Sequence, residues 1–110
     1  MTVTPTQSGD VMVLRVAGRL DALTALDFEM ACHPHLDAKY PRVVMDLQGV
    51  DYVASSGLRA ILMAGKRVKA AGAEFALCGL KGPVKNSIEL SGFHRLFPVY
   101  DSLEAFLHPQ

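Results

Sequence analysis

Two cysteines in 110 residues are too few for a disulfide framework; Cys32 sits in a helix-like stretch and Cys78 inside an apolar run. That scarcity fits a reducing compartment, so the cytoplasm is the expected location. Charge of one sign is missing too. Eleven basic and eleven acidic side chains give a formal net charge of zero, with no block of like charges. Duplex binding needs several phosphates neutralised at once, so nucleic acid is not expected as a partner. The balance hides a mild dipole, because residues 1–55 carry four basic and seven acidic side chains and residues 56–110 carry seven and four. No apolar run reaches the ~18 residues that cross a bilayer. The polar start Met1-Thr2-Val3-Thr4-Pro5 has no basic region followed by an apolar one. Neither a membrane span nor a secretory signal is therefore expected. There is no repeat, low-complexity tract or linker, and half the residues are hydrophobic. A chain of this length can bury enough surface for one independent domain over residues 1–110.

What is present alternates between short β-like runs and helical stretches. Val11 to Val16 reads as a strand, with Thr2 to Thr4 as a weak edge strand before the turn Gln7-Ser8-Gly9-Asp10. Val43 to Leu47 and Phe75 to Leu80 are nearly continuous apolar runs, the pattern of central strands covered on both faces. Phe97 to Tyr100 is a further candidate that Pro98 restricts to an edge or a strand end. Asp21 is expected to cap a helix with Leu23, Leu26 and Met30 on its buried side; Pro34 ends it near Cys32 or kinks it before it continues to Ala38. The clearest helix runs from about Ser56 to Ala71, with Leu58, Ile61, Leu62, Gly65 and Val68 on one stripe and Gly72 as terminator. A third starts at Pro83 with Val84, Ile88 and Leu90, and Leu103 to Leu107 suggests a short last helix. The order implies an α/β domain with helices on a mostly parallel or mixed sheet.

Familiar catalytic signatures are absent. Gly65-Lys66 is followed by Arg67 and is preceded by Ala60 where a phosphate loop needs its first glycine, and Gly79-Leu80-Lys81-Gly82 lacks dinucleotide spacing. Cys32-His33-Pro34-His35 holds three possible metal ligands but has no second pair at zinc-site spacing, so a polar helix end is the simpler reading. Cys78 reads as a small core residue. Ser56 lacks the glycine two residues before it that a nucleophile elbow requires, and His94 and His108 are the only later histidines, so a serine hydrolase is a weak alternative.

The remaining feature is Ser55-Ser56-Gly57 at the join between a strand and the best amphipathic helix. One reading is a plain N-cap, worth ~1 kcal/mol. Gly57 is a poor helix former, odd there unless something approaches the backbone closely. The other reading is a phosphorylation switch, since a phosphate at a helix start meets unpaired amides and the positive end of the dipole. Ser56, Arg59, Ala60, Met63 and Arg67 fall on the expected exposed strip. That strip is either a contact patch or a solvated basic face with one methionine.

Gly18-Arg19-Leu20-Asp21 after a strand, Val44-Met45-Asp46-Leu47-Gln48-Gly49-Val50 leading into Ser55-Ser56-Gly57-Leu58, and Ser91-Gly92-Phe93 after the third helix resemble the STAS domain. The nearest likeness is to the single-domain anti-sigma factor antagonists of bacteria, over about Val11 to Leu107. The resemblance implies a mixed four- to five-stranded sheet with about four flanking helices and no enzymatic activity, cofactor or metal. It implies binding to an anti-sigma factor that is also a serine kinase, with a phosphoserine phosphatase as a further partner. The phospho-acceptor would be Ser56: the unmodified antagonist sequesters the anti-sigma factor and frees the sigma factor for transcription, and phosphorylation releases it. Asp21 and Asp46 match acidic positions near the acceptor. With Ser55, Gly57, Arg59, Ala60, Met63 and Arg67 they make up the expected partner surface. Such antagonists often read Asp-Ser-Ser-Gly, and here Ala54 stands in the aspartate's place. The family also includes adaptor subunits of larger complexes, so an assembly role without a phospho-switch is the alternative.

Overall fold

The computed structural model describes residues 1–37 and 39–109. Its elements run β1 (Thr2–Ser8), β2 (Val11–Leu20), α1 (Ala25–Cys32), a 3-10 turn (His33–His35), β3 (Arg42–Val53), α2 (Ser55–Ala70) and β4 (Glu74–Cys78). Then follow α3 (Gly82–Ser91), a second 3-10 turn (Phe93–Arg95), β5 (Val99–Tyr100) and α4 (Leu103–Leu107). The sheet order is β1-β2-β3-β4-β5, with β1 antiparallel to β2 and the other three pairings parallel. This is the expected mixed sheet with four helices.

The apolar runs are buried on both sides, which is why they show no alternation. On one face Leu14, Met45, Leu47 and Leu77 pack with Phe28 of α1, Ile61 of α2 and Ile88 of α3. On the other face Val11, Val13, Val44, Ala76 and Cys78 pack with Phe106 of α4. Burial pushes the thiols of Cys32 and Cys78 up to about 12, the latter helped by the neighbouring Asp46 carboxylate. Pro98 sits just outside β5, whose ladder therefore starts at Val99.

The expected buried stripe of α1 is overturned. Leu23, Leu26 and Met30 are 89%, 65% and 65% exposed, and the helix buries Phe28 and Cys32 instead. The cause lies in its start. The Asp21 carboxylate accepts from the Leu23 and Thr24 amides at 3.0 and 3.2 Å, closing a turn rather than capping the helix. The helix thus begins at Ala25, and one turn apart Phe28 and Cys32 face the sheet. α1 ends at Cys32, where the 3-10 turn containing Pro34 takes over; Ala38, the far end of the kinked alternative, lies outside the described residues. In α3, Leu90 is likewise exposed while Val84 and Ile88 are buried.

Candidate functional site

β2 and β3 end side by side, with Leu20 paired to Val53, and there α2 begins. The Leu20 carbonyl accepts from the Ala54 amide at 2.8 Å, so the last residue of β2 seats the first turn of the helix. A Cβ on Gly57 would stand 2.6 Å from the Leu20 carbonyl oxygen and 2.7 Å from its Cβ. That close approach explains the glycine; no ligand is needed.

The N-cap is Ala54, in extended conformation and without a side-chain oxygen to cap the helix. Ser55 and Ser56 are therefore the first two helical residues, not the cap, and the first turn contains no acidic residue. Its leading amides have no partner along the helix, and no acidic residue of the first turn compensates the positive end of the dipole. Ala54→Asp is accordingly expected to stabilise the chain by ~1 kcal/mol, read as a rise in thermal midpoint; no change would mean that these amides are already satisfied.

Ser55 is exposed, Ser56 half-buried and Gly57 buried. Every buried side-chain nitrogen and oxygen among the described residues has a hydrogen-bond partner. Ser56 is only partly covered at the start of the helix. Asp21 follows Leu20 directly and so stands beside this helix start. Desolvation pushes the Asp21 carboxyl up, but hydrogen bonds from the Leu23 and Thr24 amides, the Thr24 hydroxyl and Arg19 outweigh it and hold the group below its ordinary range.

Two expected surface residues lie elsewhere. Asp46 is paired in register with Arg15 and Cys78, seven residues before β3 ends, or ~20 Å along the strand from the start of α2. Strand alternation also points it to the face opposite α2, where it is 8% exposed and accepts from the Gln48 amide at 3.0 Å. Ala60 is buried because the helix turns Gly57, Ala60, Ile61, Ala64 and Val68 inward. The inward stripe is rotated by about one residue from the one expected.

Arg59, Met63, Lys66 and Arg67 do line the outer face of α2, with Met63 52% exposed. Between this face and α1 runs a groove of about 510 Å³, bordered by Glu29, His33, Met63, Lys66 and Arg67, with Ala60 in its floor. Arg67 is tied to Asp37 at 2.9 Å, an ion pair that holds the Asp37 carboxyl below its ordinary range. The exposed Leu26 and Met30 border an adjoining recess beside Glu29 and His33. Sequence reasoning missed this apolar addition; Phe28 and Cys32, four residues apart, were the signal that α1 turns its other side outward.

Cys32 is fully buried, while the His33 ring lies 3.3 Å from Arg67, so the possible metal ligands diverge. His94 lies against α3 and Val99, and His108 follows α4 on the far face of the sheet. Neither is brought to Ser56.

The family profile described as the STAS domain matches residues 2–106. BtrV of Bordetella bronchiseptica, named as a candidate anti-sigma factor antagonist, is 33% identical over 105 residues, covering 96% of this chain and 90% of that protein. An anti-sigma F factor antagonist from Paenibacillus polymyxa is 29% identical over 93 residues, covering 84% and 80%. The crystal structure of an anti-sigma factor antagonist from Mycobacterium paratuberculosis superposes with a TM-score of 0.86 at 27% identity, covering 96% and 90%.

Proposed function

The chain belongs to the STAS domain family, and from that premise we propose that it is an anti-sigma factor antagonist switched off by phosphorylation of Ser56. One observation carries the reading. Ser56 is only half-buried at a helix start that has no acidic residue and no side-chain cap, next to a face bearing Arg59, Met63 and Arg67. A kinase can approach the Ser56 oxygen, transfer the γ-phosphoryl of ATP to it and release ADP and the hydroxyl proton. The dianion then faces the free amides of the first turn, so α2 holds.

In this account the unmodified face of α2, with Asp21 and Ser55 at its head, docks the anti-sigma factor. The regulated process is sigma-factor-dependent transcription, the kinase is the anti-sigma factor itself, and a phosphoserine phosphatase resets the switch. The chain is a substrate and a binding module, not a catalyst. Among the described residues no helix is long and apolar enough to cross a membrane.

The test is incubation with the cognate anti-sigma factor and ATP, followed by mapping of the modified residue. Label on Ser56, lost in Ser56→Ala, is expected. Stable binding without label on Ser56 would make the chain an adaptor subunit instead.

A further inference from the structure

At the opposite edge of the sheet the ladder is incomplete. β5 pairs only with Leu77 and Cys78, which leaves the outer edge of β4 bare from Glu74 to Ala76. Proline is the reason. The Leu77 amide donates to the Pro98 carbonyl at 2.9 Å, but Pro98 has no N–H to offer the next outward carbonyl, that of Phe75. Upstream, the Leu96 carbonyl accepts from Lys69 Nζ at 3.3 Å. The Glu74 amide points inward, to Pro41 O at 2.9 Å, so strand alternation turns the Phe75 N–H and C=O outward.

Along this edge lies a recess of about 320 Å³ with Phe75 in its lining, within the size range of small-molecule sites. Phe75, Leu96, Pro98, Tyr100 and Phe106 supply apolar walls. Two of these walls are stiffened by edge-to-face aromatic pairs, Phe75 with Phe97 at 5.0 Å and Tyr100 with Phe106 at 5.1 Å between centroids. Two cations border the recess: the Arg42 guanidinium lies 4.5 Å over the Phe106 ring and Lys69 Nζ stands 5.7 Å from the Phe97 ring. The one carboxylate on the lining, Glu74, is 82% exposed and only 3.7 Å from Arg42 at its nearest, a loose pair that another carboxylate can replace.

We propose that this recess binds a small carboxylate with an apolar tail, the tail filling the space against Tyr100 and Phe106 and the carboxylate lying between Arg42, Lys69 and the Phe75 N–H. Charge complementarity selects the anion, since two cations and an outward amide face it against one displaceable carboxylate. The site lies beyond the far end of α2 from Ser56 and does not depend on the phospho-switch.

The experiment is a titration of the isotope-labelled chain with octanoate, followed by amide chemical shifts, with octanol and acetate as comparisons. Octanoate is expected to saturate and to move the Phe75, Ala76 and Tyr100 amides most, leaving those of Ser55 to Gly57 in place. Octanol, with the same tail and no charge, and acetate, with the charge and no tail, should each bind about tenfold more weakly or worse. Arg42→Gln, at a half-buried position, and Lys69→Gln, at an exposed one, should each weaken octanoate several-fold, with thermal melts to confirm that both variants fold. Octanol binding as tightly as octanoate, shifts that do not saturate, or variants that bind unchanged would overturn the assignment.

Discussion

Ser56→Asp is expected to bind the cognate anti-sigma factor about a hundredfold more weakly than the native chain, while Ser56→Ala binds it about as tightly. The local cost of the new charge is small or favourable. α2 opens with free amides and no acidic residue, so a carboxylate in its first turn gains ~0.3–1 kcal/mol from the dipole. The loss falls on the docking face. Arg59, three residues on, shares that face and is drawn onto the new charge, so a basic contact becomes a neutral pair just where the partner approaches. Desolvating that charge against the partner adds to the penalty. Titration calorimetry on both variants, with thermal melts to confirm an intact fold, separates the two effects. Equal affinities for both variants would remove the switch and leave the scaffold.

Gly57→Ala should cost ~2 kcal/mol of stability and lower the thermal midpoint by roughly 8 °C. Alanine in place of glycine in a helix normally gains up to ~1 kcal/mol, so the sign of this effect is diagnostic. The added methyl would overlap the Leu20 carbonyl oxygen and Cβ. Neither can retreat easily, because that carbonyl also holds the Ala54 amide and Leu20 is fully buried. The variant thus works against the seam that aims Ser56 outward, and it should weaken partner binding beyond what unfolding alone removes. An unchanged midpoint would mean that α2 can shift away from β2 freely, and the argument for a fixed hydroxyl would weaken with it.

How much of this was legible in the sequence follows from where the physics is local. The apolar runs of β3 and β4, the period of α2 and the barrier at Pro98 are local signals, and the observed elements follow them. The family resemblance in three separated segments supplied the topology that no single segment carries. The misjudged faces have tertiary causes. The Asp21 carboxylate closes a turn four residues before α1, so Phe28 and Cys32, whose four-residue spacing the sequence does show, meet the sheet in place of Leu23 and Leu26. Ala60 falls on the outer strip by sequence spacing because the periodicity of Leu58, Ile61 and Leu62 tolerates a one-residue rotation; Gly57 against Leu20 settles it. Asp46 matched a pattern, but strand alternation, readable from Val44, Met45 and Leu47, already turned it away from α2. Gly57 stood out in the sequence as a poor helix former, while the identity of what approaches it required the pairing of β2 with β3.

Placing phosphoserine at position 56 and titrating that chain and the unmodified one against the anti-sigma factor tests the central claim most directly. A modified chain that melts at or above the native midpoint yet has lost a hundredfold or more in affinity is the predicted result. Unchanged affinity, or a chain that no longer folds, would contradict it.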